Sequence, residues 1–144
     1  MVGVDNVLEN RYDEGKGGKA VRVQESKENY LEAILMISQE KGQVRSIDVA
    51  SKLGFSKPSV SVAMANLRAE GLVENDERGL LVLTPEGRAY AERVLERHML
   101  ISNWLTGLGV SPETAAEDAC RVEHVLSEES FACLRRHVEE HRRA

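Results

Sequence analysis

Arg45-Ser46-Ile47-Asp48-Val49-Ala50-Ser51-Lys52-Leu53-Gly54 runs directly into Phe55-Ser56-Lys57-Pro58 and then into Ser59 to Gly71. The fold is decided by how this stretch reads. Ser46 suits an N-cap and Gly54 a C-terminal stop. The spacing of Ile47, Ala50 and Leu53 predicts a short helix with those residues on its buried side. Phe55 to Pro58 reads as a tight turn into a second helix, Ser59 to Glu70, stopped by Gly71. Val60, Met64 and Leu67 form its core stripe, while Lys57, Ser59, Ser61, Val62, Ala65 and Asn66 lie away from it. Two short helices, a tight turn and an outward face of small residues make a helix-turn-helix pattern. Short serines let the helix backbone come close to DNA, and Lys57 and Arg68 have the reach for phosphates.

Leu72-Val73-Glu74-Asn75 and Leu80-Leu81-Val82-Leu83 follow as two strands, with Asp76-Glu77-Arg78-Gly79 as the turn. A hairpin directly after a helix-turn-helix is a wing, and Arg78 stands at its tip. Arg45, Ser56 and Pro58 complete the candidate DNA-facing set with Lys57, Ser59, Ser61, Val62, Arg68 and Arg78. The same elements also suit a module that binds only protein. From Arg45 to Arg88 the basic and acidic residues balance at six each, so this segment is neutral within a chain of net charge −5.

Upstream, Ser26 to Lys41 reads as a helix ending at Gly42, with Tyr30, Leu31, Ile34, Leu35 and Ile37 on its apolar side. Asn29, Glu32 and Met36 fall on a neighbouring face. Residues 1–24, with Gly3, Gly15, Gly17 and Gly18 and no apolar period, read as a flexible tail. Downstream, Thr84-Pro85-Glu86-Gly87 starts a long helix to about Leu105, with a threonine cap and a proline in its first turn. Ala89, Val94, Leu95 and Leu100 suit burial there, and His98 lies in its last third. Gly107-Leu108-Gly109 breaks the chain. Ser127-Glu128-Glu129-Ser130 caps a last helix containing Phe131, Leu134 and Val138.

Between them, Ser111-Pro112-Glu113 opens a helix carrying Cys120-Arg121-Val122-Glu123-His124. Cys120, Glu123 and His124, at i, i+3 and i+4, share one helix face. Val122, Val125 and Leu126 point elsewhere and are placed to hold the helix in a core. Thiol, carboxylate and imidazole together are transition-metal chemistry. The triplet equally fits a half-buried cysteine beside a surface Glu–His pair, so the reading depends on what else converges there. From Glu113 to Glu129 six acids face a single arginine, Arg121, which favours cations nearby.

A chain of 144 residues accommodates one or two small domains. No apolar run approaches the ~20 residues of a membrane span, and the first residues lack the pattern of a secretory signal. Cys120 and Cys133 are the two cysteines, and a cytoplasmic chain does not pair them as a structural disulfide. No Ser/His/Asp set or Gly-rich phosphate loop has motif support, so enzyme chemistry lacks a nucleophile.

The sequence resembles the diphtheria toxin repressor family of metal-dependent regulators from about Glu25 to His141. The match is carried by Glu28-Asn29-Tyr30-Leu31-Glu32-Ala33-Ile34, Gly79 to Gly87, Arg97-His98 and Glu117 to Ser127. The resemblance implies a mainly α fold with a small β-hairpin: a winged helix-turn-helix at 25–88, then a helical metal-binding and dimerisation domain at 89–144. It implies a homodimer on a double-stranded operator, and a metal held by Asn29, Glu32, His98, Cys120, Glu123 and His124. Glu32 matches a ligand of the manganese sensors, Cys120 one of the iron sensors, and His98, Glu123 and His124 ligands of both. Asn29 stands where iron sensors carry Met and manganese sensors Asp. Ser102 and Ala116 replace the acid and histidine of the iron sensors' second site. The chain stops before the SH3-like domain that iron sensors append, as manganese regulators do.

The potential ligands come from three separate helices, one of which belongs to the reading head. The expectation is a cytoplasmic, metal-activated repressor of metal-homeostasis genes, with Fe²⁺ favoured by the thiolate and Mn²⁺ the other choice. The alternative is a winged-helix regulator answering to a small organic ligand or to cysteine oxidation.

Overall fold

The computed structural model describes residues 17–142, with side chains from Ser26 onward. Those residues form α1 (Gly17–Lys41), α2 (Ser46–Leu53), α3 (Lys57–Ala69), β1 (Val73–Asn75), β2 (Leu81–Leu83), α4 (Pro85–Gly107), α5 (Pro112–Val122) and α6 (Glu128–Arg142). This is an N-terminal winged helix-turn-helix followed by a helical domain, mainly α with one small hairpin.

The reading head is built from local signals. Gly54 ends α2 in the left-handed region at φ 68°. Ser56 Oγ then accepts from Ser59 N at 3.3 Å, and Pro58 sits in the first turn of α3. The hairpin is antiparallel, with Val73 opposite Leu83 and Asn75 opposite Leu81. Leu81 N also donates to Val44 O at 2.8 Å, so the segment before α2 borders the wing. Leu31, Ile34 and Leu35 of α1 join Val49, Val60, Met64, Leu67, Val73 and Leu81 in one core. Truncating such a residue to alanine costs about 2–5 kcal/mol.

The wing is tied to α4 at Gly87. A Cβ there would lie 1.9 Å from the backbone oxygen of Leu72. Thr84 Oγ1 donates to Gly71 O at 2.7 Å and accepts from Gly87 N at 3.0 Å. The Thr-Pro-Glu-Gly run is therefore both a cap and a close backbone crossing. α4 then runs unbroken through residues 88 and 89, packing against α1 and α5. Where the sequence suggested a domain boundary, one helix serves both halves.

Several sequence expectations shift. α1 begins at Gly17 rather than near Ser26, so 17–24 is helical. Ala20 to Glu25 contain good helix formers and no proline, and extending an existing helix avoids the cost of nucleation. Residues 1–16 lie outside the described residues. The N-cap of α2 is Arg45, not Ser46, and the Arg45 N–H donates to Asp48 Oδ2 at 3.0 Å. The buried stripe of α2 turns to Val49 and Ala50, leaving Ile47 52% exposed. α3 starts at Lys57 rather than Ser59, because the Ser56 cap claims the earlier turn. In α4 Ala91, not Ala89, is buried, and Val125 is exposed rather than in a core.

Candidate metal centre

α1 contributes Glu28, Asn29 and Glu32, with Glu28 and Glu32 one turn apart on one face. α4 contributes His98. α5 ends at Val122, so Glu123 is its C-cap and only Cys120 lies within the helix; His124 stands in the turn beyond. The expected single helix face is therefore a helix end plus a turn. Helical dihedrals persist at Glu123, with its N–H on Ala119 O at 2.9 Å. The three side chains consequently still converge.

Their ligand atoms fall into two overlapping groups, Glu32–His98–Glu123 and Cys120–Glu123–His124, each within 4.8 Å. His98 Nδ1 lies 3.0 Å from Glu123 Oε2 and 3.7 Å from Glu32 Oε1. His124 Nε2 is 2.9 Å from Asn29 Oδ1 and 3.3 Å from Glu123 Oε1. Cys120 Sγ lies 3.9 Å from Asn29 Oδ1. All the candidate ligands thus meet in one place, with Glu123 common to both groups.

The centre buries two carboxyl groups whose oxygens it does not fully satisfy. Glu32 and Glu123 are buried, Glu123 to 1% exposure. Glu32 Oε2 and Glu123 Oε1 have no hydrogen-bond partner. Burial, then the shared hydrogen bond and charge of Glu123, push Glu32 up to about 8. Burial likewise raises Glu123 to about 7, against the opposing pull of Glu32, His124 and Arg97. At His124 burial opposes the charged ring, but hydrogen bonds with Cys120 and Glu28 and the charges of Glu123 and Glu28 outweigh it, lifting it to about 10. A cation at this point would relieve the charge that burial disfavours on Glu32 and Glu123. Buried carboxylates with orphaned oxygens, two imidazoles and a thiol suit a divalent transition metal.

Two residues beside the candidate ligands carry no assigned role in the sequence motifs that contain them. Glu28 Oε2 lies 2.6 Å from His124 Nδ1. Arg97 donates to Glu123 O and Leu126 O, both at 3.1 Å, and to Glu128 at 3.2 Å, with its guanidinium over the Phe131 ring. It clamps the turn that carries Glu123 and His124. The available signals were the acid one turn before Glu32 and the arginine adjoining His98.

In the head, Lys57, Pro58, Ser59, Ser61 and Val62 are exposed along α3, and Arg45 and Arg78 are exposed as well. Ser56 is committed to capping, and its hydroxyl also donates to Ser59 Oγ at 2.8 Å. Arg68 Nη1 donates to Asn75 Oδ1 at 2.9 Å, so it braces the wing against α3.

Two family models match the chain: the iron dependent repressor N-terminal DNA binding domain over residues 22–80, and the iron dependent repressor metal binding and dimerisation domain over residues 84–143. The chain belongs to the iron-dependent repressor family. This is the diphtheria toxin repressor group that the sequence resembles, a family of metal-dependent transcriptional regulators. Transcriptional regulator MntR of Escherichia coli O157:H7 is 36% identical over 137 residues, covering 93% of this chain and 88% of its own. The HTH-type transcriptional regulator MntR of Geobacillus kaustophilus is 40% identical over 103 residues, covering 71% and 72%. Among solved structures, the manganese regulator SloR superposes with a TM-score of 0.70 at 28% identity, over 78% of this chain and 53% of that one. IdeR of T. acidophilum superposes at 0.67 with 30% identity, over 74% and 51%. The chain spans about half the length of these solved family members. Among the described residues no helix is long and apolar enough to cross a membrane.

Proposed function

We propose that Asn29, Glu32, His98, Cys120, Glu123 and His124 hold a divalent transition metal, and that its binding promotes operator recognition by a homodimer in the cytoplasm. The observation that carries this reading is the pair of buried carboxylates, Glu32 and Glu123, which converge with His98 and each keep one oxygen without a hydrogen-bond partner. A bound divalent ion supplies positive charge and coordination bonds there. Glu32 and Asn29 lie on α1, whose apolar side is part of the head's core. His98, Cys120, Glu123 and His124 lie on the helical domain. Ligands from both sides bias the head toward one orientation, and in a dimer this sets two recognition helices about 34 Å apart. A mobile head must first reach that spacing, which lowers apparent affinity.

In this reading α3 enters the major groove. Ser59, Ser61 and Val62 face base edges, and Arg45, Lys57 and Arg78 meet phosphates. Ser56, Pro58 and Arg68 shape that surface through the cap, the first turn and the wing brace. Gel shift on the gene's own promoter, with chelator and then with Fe²⁺ or Mn²⁺, tests the activation. Equal binding in chelator removes it.

For the metal, we infer that Fe²⁺ activates at lower free concentration than Mn²⁺. Cys120 supplies a soft thiolate that favours Fe²⁺, and cellular availability excludes the tighter-binding ions. Mn²⁺ is the second reading, favoured by the hard oxygens of Glu32, Glu123 and Asn29 and by similarity to manganese regulators. Anaerobic titration of wild type and Cys120→Glu with both metals decides it. Mn²⁺ acting at the lower concentration on the wild type assigns selectivity to the carboxylates.

A further inference from the structure

We propose that Glu28 is the positioning residue of the metal centre: it accepts the Nδ1 proton of His124 and so fixes Nε2 as the nitrogen offered to the ion. The proposal rests on the ligand reading above and adds a residue that contributes no ligand atom to it. The His124 side chain is 1% exposed, so its ring nitrogens depend on protein partners. Nε2 faces inward, 2.9 Å from Asn29 Oδ1 and 3.3 Å from Glu123 Oε1. Nδ1 faces the opposite way, 2.6 Å from Glu28 Oε2. A neutral imidazole has one N–H and one lone pair. In this structure Nε2 donates to Asn29 Oδ1; when an ion takes the place of that proton, the N–H held by Glu28 leaves the lone pair at Nε2, on the side of Cys120 and Glu123.

Glu28 is itself fixed from a second element. The Tyr90 hydroxyl of α4 donates to Glu28 Oε1 at 3.4 Å. Lys27 and Arg93 lie over the Tyr90 ring, each 5.4 Å from its centroid. A carboxylate gripped by α1 and α4 therefore orients a histidine borne by the turn after α5. Carboxylate partners of this kind set the tautomer and basicity of metal-binding histidines, and losing one typically costs about 10- to 100-fold in metal affinity.

The test compares Glu28→Leu, Glu28→Gln and His124→Ala with wild type, titrating the full chain with Mn²⁺ and counting free ion by electron paramagnetic resonance. Imidazole ¹⁵N shifts of the Zn²⁺-loaded protein report the tautomer, and far-UV circular dichroism reports folding. Gln keeps an acceptor for the Nδ1 proton. The expected result is a loss of about 10- to 100-fold for Glu28→Leu, with stoichiometry unchanged and the Nδ1–H signature of His124 lost or mixed. Glu28→Gln stays within a few-fold of wild type and keeps that signature. Wild-type affinity and tautomer in Glu28→Leu overturn the proposal. An equal loss in Glu28→Gln overturns it as well, by assigning the effect to charge instead of hydrogen bonding. If Glu28→Leu does not fold, Glu28→Gln decides: loss of the Nδ1–H signature refutes the positioning role, and its retention supports it. Unchanged binding in His124→Ala strikes the ligand reading itself, and Glu28 with it.

Discussion

Glu32→Gln separates the two properties of the metal centre, because metal-free stability should hold while metal binding is lost. Glu32 is buried, with Oε2 unpartnered, and it titrates at about 8. At pH 7 the metal-free protein therefore holds this side chain mainly protonated beside Glu123. A glutamine amide is close to isosteric with that protonated acid and donates to the same neighbour. The metal-free variant is expected within about 1 kcal/mol of wild type, since one satisfied hydrogen bond replaces another. Metal binding, in contrast, loses an anionic donor. Orienting partners alone cost about 10- to 100-fold, so a ligand is expected to cost about 100-fold or more. At a metal concentration of 100 Kd the wild type gains about 2.7 kcal/mol from binding. For a chain of this size that corresponds to a rise in Tm of roughly 5–11 °C. At the same concentration the variant sits near its own Kd and gains about 0.4 kcal/mol, or roughly 1–2 °C. Thermal unfolding by circular dichroism at pH 7, at fixed protein concentration, with chelator and with Mn²⁺, reads both quantities. A variant that keeps the full metal-induced rise refutes Glu32 as a ligand. One that loses several kcal/mol without metal refutes the protonated, hydrogen-bonded state inferred for Glu32.

The metal-free protein should lose stability as pH rises. Glu32 and Glu123 have folded pKa values above the ordinary carboxyl value, so the folded state keeps protons that the unfolded chain releases from about pH 4.5 to 7 or 8. His124, raised to about 10, acts in the same direction: its contribution is complete below about 6.5 and is lost toward 10. Urea midpoints in chelator should fall across this range, while saturating metal should flatten or reverse the trend because ligands must shed protons to bind; a rising midpoint in chelator contradicts the burial argument. Lys57→Ala should weaken binding to operator and random DNA alike and reduce the slope of log K against log salt by about 1, whereas Ser59→Ala and Ser61→Ala should change which sequence is preferred; filter binding across salt measures both. Gly87→Ala should cost about 1–3 kcal/mol or more, as overpacking against backbone does, because its Cβ meets Leu72 O at 1.9 Å; chemical denaturation checks it, and a neutral result means that the α4 start gives way easily.

The reading head was legible because its signals are local. The Gly54 stop, the Phe55–Pro58 turn, Gly71 and the Asp76–Gly79 turn each act within a few residues, so their spacing alone dictates helix, turn, helix and hairpin, though not the residue at which α3 starts. The Val60–Met64–Leu67 stripe likewise follows from helical period. The candidate ligands were legible too, but only as residues of suitable chemistry on separate helices, given one site by family resemblance. What tertiary structure decided is everything that depends on which faces meet. Ile47 fits a buried stripe by period, yet α2 rolls onto Val49 and Ala50, because burial is set by the partner surface and not by the helix alone. Arg68 has the reach for phosphate in sequence, yet the wing brings Asn75 within 2.9 Å. Glu28 lies 96 positions from His124, and no short-range pattern pairs them. Packing of α1, α4 and α5 makes that pair, and it buries Glu32 and Glu123 together, so two carboxyl groups with unsatisfied oxygens beside two imidazoles exist only in the folded protein.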